Sequence, residues 1–389
     1  MIAERMKSLE ASGVRKMFEL AASMKNPIDF SLGQPHFDVP QRVKDVAIKS
    51  ILEGRNRYTV TGGVPEFREA IRASLSEEGV HSEDMIAVAG GSGGLVLALL
   101  SLVDPGTDVF VPDPYFATYG HMISLAGGVP RWIDTYPDFR FTAERLESAV
   151  NATASSSVRG HPKKGRPGVL LFNSPVNPTG VAYTAAEIST LAQAARRIGL
   201  QVISDEVYDH FSYDHPHECW LKHDPGAVLV RTFGKTWGMT GWRSGFAAGP
   251  KAVIEAMSIL QQFTFVCVNT PAQWASIEAL KTDVSELIEG YRKKRDMVYE
   301  GLKQAYSLHK PEGAFYVYPK VPVTNPIGNN KDVSAADEFM RRCIENEILV
   351  VPGKTFSQKN THFRISFAVN DETLKRGIDR LVKIARQMA

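Results

Sequence analysis

Two kinds of apolar spacing alternate along most of this chain. Apolar residues recur three and four positions apart from Val43 to Ile51 and again from Phe67 to Leu75, as in helices with one buried face. These runs stop at Gly54 and Gly79, and glycine commonly ends a helix. Between such runs lie short blocks of consecutive apolar residues, which are typical of strands buried on both faces. The alternation predicts an α/β fold with a mostly parallel sheet that is covered by helices on both faces.

Polar or glycine-rich segments directly follow the predicted strands. In open α/β sheets ligands bind beyond the carboxyl ends of the strands, so these segments are candidate functional sites. Thr184 is followed three residues later by Glu187, which is the pattern of a capping box and predicts that a helix begins there. The predicted strands are 85–89, 109–111, 169–172, 202–204 and 228–230.

The chain changes character after residue 281. A long, charged amphipathic helix is predicted over 284–306, and short strand-like and helical segments follow it. At 389 residues, the chain also exceeds the size at which a single core usually stops growing. We therefore expect a large domain over 41–281, a smaller α+β domain over 282–389, and an N-terminal segment, 1–40, that joins the small domain.

Composition and charge exclude some classes of partner. Lys and Arg number 45 against 43 for Asp and Glu, a balance that is not typical of proteins that bind nucleic acid or anionic membranes. Cys219, Cys267 and Cys343 lie far apart and four histidines between 210 and 223 lack ligand spacing, so we expect neither disulfides nor a metal site. No apolar stretch is long enough to span a bilayer. We expect a cytoplasmic protein in which the basic segment 151–167 is a surface loop.

Lys235 lies between glycines directly after a predicted strand. A buried lysine amine loses its charge to desolvation and becomes a nucleophile that forms a Schiff base with an aldehyde. Arg243, eight residues later, offers a planar charge that suits a phosphate. Taken alone, this run is more often a surface lysine beside an ordinary arginine.

Two other motifs indicate competing functions. The pattern Gly90-x-Ser92-x-Gly94 matches the nucleophile elbow of esterases. However, only one clear strand precedes its own strand, and no His-Gly-Gly run is present to form an oxyanion hole. Gly-Lys-Thr at 234–236 and at 353–355 resembles the end of a phosphate-binding P-loop. The glycine that this motif requires five residues earlier is Leu229 in one case and Ile348 in the other, so neither is a P-loop.

Several strand-end residues suit a pyridine ring. Asp205 offers a carboxylate that would keep the ring nitrogen protonated, and Asn177 and Tyr208 offer donors to a phenolic oxygen. Phe116 offers an aromatic platform. Each residue also has an ordinary explanation: Asp205 as a helix cap, Asn177 as a turn former and Phe116 as a core residue. Their joint occurrence at neighbouring strand ends favours the ring.

A phosphate group would suit the glycine turn that opens the next helix. Backbone N–H groups and the helix dipole converge at such a turn, here at Gly91, Ser92 and Gly93. Thr232 and Arg243 would complete the shell around the phosphate.

These residues occur in an order that resembles a known family. The chain is similar to the class I/II aminotransferases of the pyridoxal-phosphate fold type I family, and most similar to the aspartate/aromatic aminotransferases of bacteria and archaea. The matching stretches span nearly the whole chain. They are 31–35, Tyr58 with Gly62 and 67–71, the glycine turn at 90, 104–106, 173–180, 204–208, 232–245, 313–316 and 363–366.

The resemblance implies a role for the residues at the ring of the cofactor, pyridoxal 5'-phosphate. Lys235 would carry the cofactor as a Schiff base and then move the substrate proton. Asp205 would hold the pyridine nitrogen, and Asn177 and Tyr208 would bind the ring oxygen. Phe116 would face the ring.

The resemblance also implies roles for the residues around the phosphate and the substrate. Arg364 would hold the substrate α-carboxylate through two hydrogen bonds, helped by Asn177 and the Gly33 backbone. Tyr58 would reach the phosphate from a second subunit, so the active protein would be a homodimer with shared sites. The remaining phosphate ligands would be Gly91, Ser92, Thr232 and Arg243.

The chain departs from the family pattern at several positions. His36 stands where relatives often have Asp, and Gly234 stands where many have Ser, so one phosphate-side hydroxyl is missing. Phe116 replaces the Trp of the aspartate enzymes, which argues against strict specificity for dicarboxylates.

The expected reaction moves an amino group from an L-amino acid to a 2-oxo acid, with 2-oxoglutarate as the acceptor, by a ping-pong mechanism. Two alternatives keep the cofactor: a β-eliminating carbon–sulfur lyase and a cyclopropane-forming synthase. A Ser92 esterase and a non-catalytic cofactor-binding regulator are the alternatives from other classes.

Overall fold

Helices and strands alternate along the chain, as the apolar spacing predicts. The computed structural model describes residues 24–154, 168–322 and 334–388, with residues 2, 6 and 20 as isolated positions. The strands are β1 (Ile28–Asp29), β2 (Asp84–Val88), β3 (Asp108–Asp113), β4 (Val129–Asp134), β5 (Val169–Asn173), β6 (Gln201–Asp205), β7 (Val228–Thr232), β8 (Gly245–Gly249), β9 (Tyr316–Val317), β10 (Ile348–Leu349), β11 (Val351–Pro352) and β12 (Phe363–Ser366). The α-helices are α1 (Gln41–Leu52), α2 (Pro65–Glu77), α3 (Gly90–Leu102), α4 (Tyr119–Leu125), α5 (Ala143–Ala154), α6 (Ala185–Ile198), α7 (Phe233–Thr236), α8 (Lys251–Thr264), α9 (Thr270–Leu280), α10 (Ser285–Leu302), α11 (Ala335–Glu345) and α12 (Asp371–Met388).

A seven-stranded sheet forms the centre of the larger part of the molecule. Its strand order is β2-β8-β7-β6-β5-β3-β4. Only β8 runs against its neighbours, since the pairs on the other side of β7 are all parallel. This arrangement confirms the predicted mostly parallel α/β sheet. The sequence pattern did not indicate β4 or β8, because β8 reads Gly-Phe-Ala-Ala-Gly and β4 contains Pro130 and Arg131.

Side chains on the strands alternate between two cores, one on each face of the sheet. Leu170 and Phe172 of β5 join one buried cluster, and Val169 and Leu171 join the other. Helix α3 is apolar on all sides because it lies buried against the sheet and against α8. The predicted capping box is confirmed: the Thr184 side chain accepts a hydrogen bond from the Glu187 backbone, and α6 begins there. None of the helices in the described ranges combines the length and apolar character that a membrane span requires.

The smaller part contains a three-stranded antiparallel sheet, β11-β12-β9, and helices α10 to α12 around a third buried cluster. The N-terminal strand β1 pairs in parallel with β10, and Phe30 packs in the same cluster. Strand β9 is only two residues long, and Ala314 just before it has a positive φ of 53°, which is not a strand conformation. The boundaries near 40 and 281 stay predictions. Most of residues 1–23 and of the 151–167 segment lie outside the described residues.

Two helical glycines give a matched test of this packing. A Cβ at Gly377 in α12 would overlap the Phe30 ring, whereas a Cβ at Gly290 in α10 meets no atom within 4 Å. We expect Gly377→Ala to lower the free energy of unfolding by about 1–3 kcal/mol through overpacking. Gly290→Ala should raise it by about 0.5–1 kcal/mol, because alanine is the better helix former. Urea unfolding measures the free energy of unfolding of both variants. An equal increase of this free energy in the two variants would contradict the packing of Phe30 against α12.

Candidate active site

The carboxyl ends of β5, β6 and β7 open into a pocket of about 310 Å³, which residues of the smaller part close from the other side. Nearly all of the residues predicted for the site line this pocket. The exceptions are Gly93 and Tyr58, and Tyr58 lies outside the pocket with 84% of its surface exposed. The predicted residues that line the pocket are Gly33, Gly91, Ser92, Phe116, Asn177, Asp205, Tyr208, Thr232, Lys235, Arg243 and Arg364.

Lys235 lies in α7, a single helical turn at the end of β7. Thr232 caps this turn, since its side chain accepts a hydrogen bond from the Gly234 backbone at 3.2 Å. The Lys235 Nζ donates to the Gly33 carbonyl at 2.6 Å. Desolvation in the pocket, together with the positive charges of Arg364 and Arg243, lowers the pKa of Lys235 to about 8. About a tenth of the amine is therefore in the free-base form at neutral pH, far more than for an ordinary lysine, and this is the form that a nucleophile or a general base requires.

Asp205 is a buried carboxylate at the end of β6. Its Oδ2 accepts a hydrogen bond from the Tyr119 hydroxyl at 2.5 Å, but its Oδ1 has no hydrogen-bond partner among the described residues. Burial raises the pKa of Asp205 to about 6, although the Tyr119 hydrogen bond and the Lys235 charge act against this rise. A buried carboxylate oxygen without a partner is costly, so the site fits a ligand that brings an N–H donor or a positive charge.

Two asparagines connect Asp205 to Arg364 through hydrogen bonds. Asn173 donates through Nδ2 to the Asp205 carbonyl at 2.8 Å and accepts through Oδ1 from the Asn177 backbone at 3.0 Å. Asn177 in turn accepts from the Arg364 Nη1 through its Oδ1 at 3.1 Å and donates through Nδ2 towards the Tyr208 hydroxyl at 3.5 Å. These bonds fix the direction of the Asn177 amide, so its Nδ2 and the Tyr208 hydroxyl face the same side of the pocket.

The glycine turn at the start of α3 forms the opposite end of the pocket. Gly90 has φ of +69°, where any other residue would be strained, and a Cβ there would lie 2.8 Å from the Arg243 Nη2 and displace the guanidinium. The Arg243 guanidinium donates to the carbonyls of Thr240 and Ala89, and it has no carboxylate partner in the described ranges. An unpaired guanidinium beside the first N–H groups of a thirteen-residue helix is a suitable site for a phosphate.

Arg364 lies buried between two aromatic rings. Its guanidinium carbon is 4.5 Å from the centre of the Tyr316 ring and 4.6 Å from that of the Phe356 ring. Its Nη2 donates to the Ser31 carbonyl at 2.7 Å, and no described carboxylate pairs with it. Burial lowers the pKa of Arg364, and its Nε has no partner among the described residues. A buried, planar cation without a counter-ion fits a carboxylate that arrives with a substrate.

The geometry of the site does not support the esterase or a histidine metal site. No histidine of the described chain lines the pocket, so Ser92 lacks the base that an esterase nucleophile needs. Each of His210, His217 and His223 contacts a carboxylate outside the pocket instead.

The sequence analysis assigned no role to Asn173 and Tyr316, which line the pocket, or to Tyr119, which lies behind Asp205. Tyr119 contacts Asp205 although 86 positions separate them, and the Tyr316 hydroxyl lies 2.8 Å from that of Tyr208, which is 108 positions away. The signals for these residues were weak: Tyr119 follows Phe116 by one helical turn, and Tyr316 and Asn173 fall within the stretches that carry the family resemblance.

Comparisons with known proteins agree with this geometry. The family model for aminotransferase class I and II matches residues 25–381. A probable aspartate aminotransferase of Methanocaldococcus jannaschii is 31% identical over 99% of this chain and 100% of its own length. An aspartate/prephenate aminotransferase of Thermus thermophilus is 33% identical over 95% of this chain and 94% of its own length. The solved structure of an aspartate aminotransferase from Thermus thermophilus with maleate superimposes with a TM-score of 0.88, at 31% identity and 99% coverage of both chains.

The match extends over the whole fold and includes the segments that form the pocket. The resemblance inferred from the sequence is thereby confirmed, and the family favours amino transfer over β-elimination, cyclopropane formation and ester hydrolysis. The chain belongs to the aminotransferase class I and II family and is an aminotransferase.

Proposed function

We propose that this aminotransferase binds pyridoxal 5'-phosphate in the pocket and moves an amino group from an L-amino acid to 2-oxoglutarate or another 2-oxo acid in two half-reactions. The observation that supports this most directly is the set of unsatisfied groups in one cavity. Lys235 has an amine with a pKa of about 8, and Asp205 has a buried oxygen without a partner in the described chain. Arg243 and Arg364 lack counter-ions among the described residues. A phosphorylated pyridine aldehyde and an amino-acid carboxylate together would satisfy all four groups.

The residues present fit the cofactor from end to end. Asp205 would hold the ring nitrogen, Asn177 and Tyr208 the ring oxygen, and Phe116 one face of the ring. The phosphate would be held by the α3 turn, Thr232 and Arg243. When bound, the cofactor supplies an electron-withdrawing ring that stabilises negative charge at the substrate α-carbon.

Arg364 would bind the substrate and Lys235 would transfer the proton. Arg364 would hold the α-carboxylate through two parallel N–H groups, and the Asn177 bond keeps its guanidinium plane fixed. Lys235, once free, would take the proton from the α-carbon through its Nζ and return it at the neighbouring carbon. A base with a pKa of about 8 suits both directions near neutral pH.

We also propose that the enzyme is a homodimer. Large apolar side chains are exposed on three adjacent segments: the outer face of α1, the loop that carries Tyr58, and the end of α8. Gln261 donates to the Thr61 carbonyl and so joins this loop to α8. Thr270 donates to the Arg57 carbonyl and joins the loop to α9, which packs against α1. A second copy of the chain would cover this surface and would bring Tyr58 to the neighbouring pocket. The exposed residues are Ile48, Ile51, Leu52, Tyr58, Val60, Ile259, Phe263, Phe265 and Val266.

Replacing Lys235 tests the chemistry. Lys235→Ala should remove the visible absorbance of the lysine-bound cofactor and lower turnover by at least about 10³-fold, because both nucleophile and base are lost. Lys303→Ala, which changes an exposed lysine directly after α10, should leave both unchanged. Absorbance spectra and a coupled assay of 2-oxo acid formation measure the two effects. Amino transfer that survives in Lys235→Ala would contradict the mechanism, and release of pyruvate and ammonia without amino transfer would favour the lyase.

Replacing Arg364 tests the carboxylate site. Lysine keeps the charge but cannot donate two parallel hydrogen bonds, so Arg364→Lys should raise the KM for the amino acid about 10- to 100-fold. The absorbance of the bound cofactor should not change. Steady-state kinetics with Arg341→Lys, an exposed change on α11, provide the control. An unchanged KM in Arg364→Lys would place the carboxylate elsewhere.

Charging the exposed apolar surface tests the dimer. Wild type should sediment as a dimer, and Phe263→Asp should weaken association at least about 100-fold, because a charge would be buried without a partner. Leu125→Asp changes a similarly apolar but separate exposed side chain on α4 and should leave the dimer intact. Sedimentation equilibrium distinguishes these results; a monomeric wild type would overturn the proposal of shared sites.

A further inference from the structure

The carboxylate of Asp205 accepts one side-chain hydrogen bond from the described residues, and its donor is the Tyr119 hydroxyl. The distance from the Tyr119 Oη to the Asp205 Oδ2 is 2.5 Å, and both residues are buried. We propose that Tyr119 is a positioning residue for amino transfer: it holds one oxygen of Asp205 so that the other oxygen faces the ring nitrogen of the cofactor. This inference rests on the proposed function, because it assigns a role to Tyr119 within that same site.

The backbone places Tyr119 firmly. It is the first residue of α4, and its N–H donates to the Phe116 carbonyl at 3.0 Å. Its ring meets the Phe116 ring edge to face, with the ring centres 5.5 Å apart. The next residue, Gly120, lies so close to Trp132 that a Cβ there would be 3.3 Å from the indole. The residue proposed to face the ring and the residue that holds Asp205 therefore belong to one tightly packed turn.

A comparison of Asp205 with its neighbour Glu206 explains why a hydroxyl serves here. Glu206 accepts hydrogen bonds from the Arg231 Nη2 at 3.0 Å and contacts the His217 Nε2 at 2.8 Å. Although burial opposes it, this positive charge lowers the pKa of Glu206 to about 2. A carboxylate that is neutralised in this way has no charge left for a ligand. Tyr119 instead orients Asp205 without supplying a positive charge, so the negative charge remains available for a cationic ring nitrogen.

Burial and the groups that face Asp205 shift its pKa in different directions. Burial raises the pKa of Asp205, the Tyr119 hydrogen bond lowers it, the negative charge of Glu206 raises it and the positive charge of Lys235 lowers it. Removing the hydroxyl therefore raises the pKa of Asp205 further. Binding of a positively charged ring nitrogen requires the ionised carboxylate. Cofactor affinity must consequently fall as the pH drops through the pKa of Asp205, and this fall should occur at higher pH once the hydroxyl is gone.

Tyr119→Phe removes a single oxygen atom and tests this role. Purified apoenzyme is titrated with pyridoxal 5'-phosphate from about pH 5 to about pH 9, a range that includes the pKa of Asp205 at about 6. We expect the dissociation constant at neutral pH to rise about 10-fold, as the loss of one hydrogen bond to a charged group does. The pH at which affinity begins to fall should also move upwards.

Tyr306→Phe provides the matched control. Tyr306 is also buried, and its hydroxyl donates one hydrogen bond to the Leu381 carbonyl at 2.7 Å in the smaller part. The control should lower the thermal midpoint of the apoenzyme as Tyr119→Phe does, but leave the cofactor dissociation constant and its pH dependence unchanged. If Tyr119→Phe behaves like Tyr306→Phe in all three measurements, Tyr119 is merely structural and the inference is overturned.

The failure of this inference is distinguishable from the failure of the proposed function. Wild-type apoenzyme that does not bind the cofactor overturns the proposed function, and this inference with it. Wild-type apoenzyme that binds the cofactor, with Tyr119→Phe binding it equally well at every pH, overturns only the role of Tyr119.

Discussion

The antiparallel return of β8 beside β7 decides where the chemistry of this protein is placed. The chain leaves the carboxyl end of β7 at Thr232 and comes back along β8 from Gly245, and these two residues are paired across the sheet. Everything between them is therefore held at the carboxyl edge of the parallel strands, including Lys235 and Arg243. The connection is closed by two bonds to the Ser244 carbonyl, from the Phe233 backbone and the Thr232 hydroxyl. The glycine turn of α3 reaches the same edge because β2 is the other neighbour of β8.

The buried charges in the pocket lower the free energy of unfolding of the protein on its own. Lys235, Arg243 and Arg364 converge with Asp205 in one cavity, and the described residues leave the two arginines without counter-ions. Desolvation is the first cause of the shifted pKa of Lys235 and of Asp205. Arg231, in contrast, is paired with the carboxylates of Glu78 and Glu206, so its charge is compensated within the protein. The pocket thus stores an unfavourable electrostatic energy that a ligand of complementary charge removes on binding.

The sequence predicted the parts of the site that depend on local order. Asp205, Asn177 and Lys235 directly follow apolar strands, and parallel strands carry such residues to one edge whatever the details of packing. Tyr119 and Tyr316 could not be found in this way, because their contacts join segments that are far apart in sequence and depend on how α4 and β9 pack. Strand β8 was missed because its residues are small: a Cβ at Gly245 would lie 2.6 Å from the Arg231 carbonyl. The role of Tyr58 cannot be derived from one chain, since its proposed destination lies on another.

The hydrogen bond from Lys235 to the Gly33 carbonyl ties the reactive amine to the segment behind β1, which pairs with the smaller part. Under the proposed function this bond would change with the chemistry, because a nitrogen that has entered a Schiff base retains at most one N–H. The segment around Gly33 would then lose a contact that the free amine supplies. Because linkage is reciprocal, a ligand that orders this segment would also favour the free, protonated form of Lys235.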